Sequence, residues 1–152
     1  PMLFEDEGRL LGRCVLPPAL MAAMKRSSIV VLEASLEERV EHSHRNYILN
    51  KLAEWQRQLG EAYAFDTFAE DLTQALFRVR KRLGGVAYGE ISNLLEQALN
   101  AHRKGDPEQH RGWIERLLVD YYDPMYDYQL RSRSDLIVFR GDRAAVRDWL
   151  NI

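Results

Sequence analysis

The residues of this chain best suited to chemistry are acids at the end of a short apolar run and cations on helical patterns, rather than nucleophiles. Glu5, Asp6 and Glu7 follow Leu3 and Phe4. A carboxylate at the carboxyl end of a parallel strand can hold magnesium or its water; the plainer reading is a solvated acidic turn. Arg78, Lys81 and Arg82 fall on one arc of a helical pattern, opposite a stripe of Leu72, Leu76, Val79 and Leu83. Such an arc either grips the phosphates of a nucleotide or RNA, or is a solvated face. Arg39 and Arg45 follow a β-branched run and can face the same site, although Glu37, Glu38 and Glu41 offer them ion-pair partners. Arg9, just behind the acids, completes the set of candidate phosphate-binding cations. Tyr121, Tyr122 and Tyr126 lie in a tyrosine-rich stretch with Arg131 and Arg133 behind it. Tyrosines beside arginines can stack on unpaired bases. The competing reading has their rings packed in a core, since Tyr122 and Tyr126 share a helical face.

The absences narrow the chemistry. No G-x-x-x-x-G-K-[ST] phosphate loop, G-x-S-x-G elbow or paired C-x-x-C occurs. His42 and His44 are two residues apart, so a helix points them away from each other and no metal site is expected. Cys14 is the single cysteine; it forms no internal disulfide and has no base near it in sequence, so it reads as inert. No catalytic residue is assigned. Net charge is -2, with 21 Lys and Arg against 23 acids, which excludes an overall basic nucleic-acid binder but leaves room for a local patch. The apolar runs are too short to span a bilayer, so no membrane partner is expected, and the single thiol suits a reducing cytoplasm.

The elements that must position these residues read as α/β. Strands are expected near 2–5, 28–33 and 136–140, the second of a buried, parallel type. Pro17-Pro18 starts a helix that runs to about Arg26. Ser35 with Glu38 forms a capping box, opening one or two helices to about Leu59. Thr67 with Glu70 is expected to cap a helix that stops at Gly84-Gly85, and Glu90 to Ala101 repeats the pattern. Gly105-Asp106-Pro107 is a stop, a cap and a first-turn proline. Asp123-Pro124 is expected to break the following helix and start a short one through Leu130. After the last strand, Asp142 caps a terminal helix. Residues 1–152 form one unit in this reading, with 36–131 a mainly helical insertion. The start at Pro1, directly before apparent strand residues, reads as the C-terminal fragment of a larger chain.

Five strings in register carry a resemblance. Phe4-Glu5-Asp6-Glu7-Gly8-Arg9 with Leu11-Gly12 and Leu16-Pro17, Val31 to Val40, Arg80 to Gly84, Tyr121 to Leu130, and Val138 to Gly141 resemble successive segments of tRNA 2-selenouridine synthases. The resemblance covers essentially the whole chain. It implies an incomplete P-loop-type parallel sheet carrying a large helical insertion. The enzyme it implies replaces the sulfur of wobble 2-thiouridine by selenium, using selenophosphate and geranyl diphosphate through an S-geranyl intermediate. That family's rhodanese-like cysteine and P-loop lysine have no counterpart here. The implied role is therefore an inactive portion that contributes tRNA or diphosphate binding, with no cofactor of its own. Its implied partners are tRNA and the missing N-terminal region. An exposed sheet edge would also favour self-association. The alternative is a stand-alone, non-catalytic RNA-binding module.

Overall fold

The computed structural model describes residues 3–6, 10, 11 and 14–151. Glu7 and Arg9 lie outside the described residues. The chain divides into two compact units, one made of Pro1–Glu33 with Ser132–Ile152 and the other of Ala34–Arg131.

In the first unit, β1 (Leu10–Leu11) pairs antiparallel with β2 (Cys14–Val15). Leu3 to Glu5, the described part of the strand expected near 2–5, belong to none. Apolar side chains alone do not make a strand; the backbone also needs a ladder partner, and these residues find none among those described. Leu3 is accordingly 67% exposed. Helix α1 (Pro18–Met24) begins at its proline, whose fixed φ and missing N–H suit a first turn. Strand β3 (Ile29–Leu32) follows.

The second unit is helical throughout. Helix α2 (Leu36–Ser43) opens on the expected capping box: the Glu38 N–H donates to the Ser35 hydroxyl at 3.1 Å, and the Ser35 N–H donates to the Glu38 carboxylate at 2.8 Å. A π-helical segment, His44–Leu49, leads into α3 (Asn50–Leu59). Gly60, with φ +77°, turns the chain into α4 (Glu61–Leu83). Thr67 therefore caps nothing; it sits inside α4 with its hydroxyl donating to the Tyr63 carbonyl at 3.1 Å. Gly60, seven residues upstream of Thr67, is the actual break, because its backbone at φ +77° suits glycine alone.

Gly84 (φ +80°) separates α4 from α5 (Gly85–His102), and Gly105 (φ +94°) ends the next turn. The Asp106 carboxylate then accepts from the Glu108 N–H at 3.2 Å over a 3-10 turn that precedes α6 (His110–Leu117). Asp123-Pro124 does not interrupt the chain's helical course. A second π-helical segment, Leu118–Tyr122, passes directly into α7 (Asp123–Arg131), with Pro124 tolerated in its first turn. Ile48, Phe68 and Ile91 are fully buried at the centre of this unit, with Val40, Leu95, Trp113 and Ile114 around them.

Returning to the first unit, β4 (Ile137–Gly141) pairs with β3 in parallel, with a register irregularity between Ile29 and Val30. Helix α8 (Arg143–Leu150) is capped by the Asp142 carboxylate, which accepts from the Ala145 N–H at 2.9 Å. The parallel pairing agrees with expectation, but the full burial does not: Leu32 is 60% and Val138 49% exposed. Helix α8 packs on the ladder, with Phe139 stacked on Trp149 at 5.2 Å, while Val138, which alternates to the opposite face, stays exposed.

Candidate functional site

The helical unit encloses a cleft of about 390 Å³ with a mainly apolar lining. Helix α4 supplies one wall through Leu72, Ala75, Leu76 and Val79, which recur at the spacing of one helix face. Trp113, Ile114 and Leu117 of α6 supply the facing wall. The rest comes from the end of α2, the two π-helical segments and α7, through His42, Ser43, Tyr47, Leu118, Tyr122 and Tyr126. Both π segments close with an i to i−5 bond, from the Asn50 N–H to the Arg45 carbonyl and from the Asp123 N–H to the Leu118 carbonyl. Each adds a residue to a turn and so shifts the register of side chains after it; such bulges recur at functional sites. Here one delivers Tyr47 and the other Tyr122 to the same cleft.

The tyrosines expected to act together do meet. Tyr121 and Tyr122 contact edge to face at 4.9 Å, and Tyr122 stacks on Tyr126 at 6.3 Å. Tyr122 is half-buried, and burial raises its pKa above the ordinary phenol value, so it stays a neutral hydroxyl. Arg82 donates to the Tyr121 hydroxyl at 3.1 Å, a bond that holds its guanidinium firmly in the charged form.

The basic arc spans about 100° of α4. At ~100° per residue, Arg82 lies ~20° from Ala75 on the cleft wall, Arg78 ~60° away and Lys81 ~120° away. Arg82 thus lies on the Ala75 side of α4, two turns beyond it, and reaches the lining Tyr122 through Tyr121, while Lys81 turns from it. Among the described residues neither Arg78 nor Lys81 has an ion-pair partner, and both are exposed.

The remaining candidates are engaged elsewhere. Arg39 forms a two-pronged pair with Asp123, its second prong at 3.1 Å, and its Nε is buried without a partner. Arg45 donates to Glu41 at 2.9 Å. Arg111 and then Arg45 hold the Glu41 carboxyl below its ordinary range. In the other unit Asp6 pairs with Arg133 at 2.6 Å, and Glu5 is exposed. Cys14 is an exposed free thiol. Among the described residues no three His, Cys, Asp or Glu side chains form a metal-holding group, and no helix is long and apolar enough to cross a membrane.

Sequence reasoning missed a buried imidazole chain behind the cleft. The Trp113 indole N–H donates to His110 Nδ1 at 2.8 Å, so the His110 proton must sit on Nε2. That Nε2–H donates to His102 Nδ1 at 3.2 Å. His44 Nε2 donates to the Pro107 carbonyl at 2.9 Å. Burial first, then His102 and His44, push His110 down to about 4. Burial and His44 lower His102, against a smaller opposing pull from Asp106. The available signal was His102 and His110 bracketing the Gly105-Asp106-Pro107 stop, a tight reversal that returns the second histidine toward the first.

A family model described as the tRNA 2-selenouridine synthase AAA domain matches residues 1–152. The chain is 57% identical over 149 residues to the tRNA 2-selenouridine synthase of Hahella chejuensis, covering 98% of this chain and 39% of that relative. It is 50% identical over 150 residues to the protein of the same name from Cupriavidus pinatubonensis (98% and 41% covered), and 43% identical over 149 residues to that of Pseudomonas putida (97% and 41% covered). The chain therefore spans about two fifths of the length of the curated relatives it matches. No solved structure matches it.

Proposed function

Because the chain belongs to the tRNA 2-selenouridine synthase family, matching its AAA domain, we propose that it is the donor- and tRNA-binding portion of an enzyme that replaces sulfur by selenium in wobble 2-thiouridine. The parent enzyme in this reading works through an S-geranyl intermediate and draws on geranyl diphosphate and selenophosphate. The portion described here binds and orients; the chemical steps belong to residues outside it.

The observation that carries the reading is the apolar cleft, with Arg82 bonded to Tyr121 beside the lining Tyr122. A ten-carbon prenyl chain gains from leaving water for such a lining, at roughly 25 cal/mol per Å² of apolar surface buried. Its diphosphate needs cations at the mouth, which Arg82 and the exposed Arg78 can provide. The neutral hydroxyls of Tyr121 and Tyr122 hydrogen-bond at that boundary without repelling the anion. The exposed cations and half-exposed Tyr126 extend the same face toward a larger anionic partner, as tRNA binding requires. The edges of the two-stranded β3–β4 ladder suit completion by further strands of the parent chain.

The test is equilibrium binding of geranyl thiolodiphosphate, a slowly reacting analogue, to the full-length protein. Ala75→Trp fills the cleft and should abolish binding while leaving tRNA affinity within about twofold. Unimpaired analogue binding by that variant would remove the cleft from the donor site.

A further inference from the structure

We infer that His110 is a positioning residue for the cleft: its Nδ1 fixes the Trp113 indole, and through it the wall against which an apolar ligand lies. The inference rests on reading the cleft as the prenyl-donor site. Trp113 is only 6% exposed and forms part of the lining, while His110 is 0% exposed and lies behind it. Both ring nitrogens of His110 are committed, one accepting from Trp113 at 2.8 Å and the other donating to His102 at 3.2 Å. A ring held at two opposite points cannot flip, and the His102 acceptor selects the one tautomer that leaves Nδ1 free to accept. Phe68 closes the edge of His110 at 6.2 Å, and Phe65 and Phe68 flank His102 at 5.3 and 5.8 Å. Helix α5 thus reaches the cleft wall through His102, His110 and Trp113.

The arrangement depends on charge. A proton on His110 Nδ1 would set two donors against each other, and the indole would have to turn away from it. The titratable groups facing this chain are His44 from the first π segment, His102 from α5 and Asp106 from the turn. Arg111, next on α6, is itself paired with Glu108 and Glu41. From α4 the neighbours are the apolar Phe65 and Phe68. Among the described residues none that acts on His110 stabilises an imidazolium, and burial pushes its pKa down to about 4. At neutral pH the wall is held in place; acid releases it.

The experiment compares the full-length wild type with His110→Asn and His110→Leu. An asparagine Oδ1 can stand where Nδ1 accepts, and it takes up no proton in this range; leucine removes the acceptor. The readouts are the Trp113 indole 1H–15N resonance, identified by Trp113→Phe, and the dissociation constant for geranyl thiolodiphosphate. Expected is a displaced resonance and about tenfold weaker binding in His110→Leu, since a buried donor loses its partner. His110→Asn should restore both to near wild-type values. The wild-type indole should shift on acidification with a midpoint near 4, and His110→Asn should lose that transition. An acid transition retained in His110→Asn, or equal dissociation constants in all three proteins, would overturn the inference. Should His110→Leu fail to fold, the wild-type titration and the asparagine variant still decide it. If the resonance behaves as expected but none of the three binds the analogue, the hold of His110 on Trp113 stands and the prenyl reading of the cleft falls.

Discussion

Replacing Asp123 by alanine should destabilise the helical unit more than replacing Arg39, although the two form a single pair. They lie 84 residues apart in sequence and join α2 to the start of α7. Their side chains are 34% and 35% exposed. The pair therefore falls between exposed ion pairs, worth ~0–1 kcal/mol, and buried ones, whose breakage costs ~3–5 kcal/mol. Discounting for that exposure, a coupling of about 1–2 kcal/mol is expected. The asymmetry comes from what each truncation leaves behind. Without Asp123, a guanidinium whose Nε is already buried and unpartnered loses both of its remaining bonds. Without Arg39, the Asp123 carboxylate keeps its partial access to water. The losses should be about 2–3 kcal/mol for Asp123→Ala and about 1–2 kcal/mol for Arg39→Ala. Urea unfolding followed by tryptophan emission measures them in a Trp149→Phe background, where Trp55 and Trp113 report on the helical unit alone. The double variant completes the cycle. A coupling below ~0.3 kcal/mol, or a larger loss for Arg39→Ala, would refute the reasoning.

Other outcomes follow from the same geometry. The His110 pKa is depressed in the folded state, so its contribution to stability is intact above its ordinary 6.5 and is lost as pH falls toward about 4. The loss approaches about 3 kcal/mol, at roughly 1.4 kcal/mol per pH unit, and the lowered His102 acts in the same direction; urea midpoints at neutral and acid pH, for wild type and His110→Asn, measure it. Phe68→Ala, at a fully buried position, should cost about 3–5 kcal/mol, and a Tm near wild type would contradict its central place in the core. Reversing Arg78 and Lys81 to glutamate should weaken tRNA binding by the full-length protein and lower the salt slope by about one per lost phosphate contact, with unchanged affinity across a salt titration counting against it. Gly60→Ala places a side chain at φ +77° and should destabilise the α3–α4 turn by about 1 kcal/mol, a loss that amide exchange localised to that turn would show.

What could be read in the sequence was whatever local chemistry decides. Ser35 with Glu38, Asp106 with Pro107, and Asp142 sit where they were expected because a cap acts over three residues. Pairing β3 with β4 in parallel was also legible, since β-branched runs separated by a long crossover have little alternative. The misses share a cause: each depended on a partner distant in sequence or on backbone conformation. Leu3 and Phe4 have strand-like side chains and no ladder. Thr67 has the pattern of a cap, but Gly60 had already set the helix start. Arg39 has the pattern of an anion ligand, but its carboxylate partner lies 84 residues on.

The two π segments show why the cleft itself was hidden. On an uninterrupted 3.6-residue helix, the apolar period of α2 would run straight into α3, and that of α6 into α7. One extra residue in each turn breaks both periods and brings Tyr47 and Tyr122 to a common cavity with the α4 stripe. No residue type signals such a turn, so a periodicity argument reads it as noise or as a break, as at Asp123-Pro124. The α4 stripe reads as core by the same argument, and for Leu76 that is correct. Yet Ala75 and Val79 beside it line the cleft. A cleft made by displaced register rather than by small residues is closed off when the backbone regularises. Deleting one residue from either π segment should therefore convert it to α-helix and fill the cavity with the very side chains that now border it.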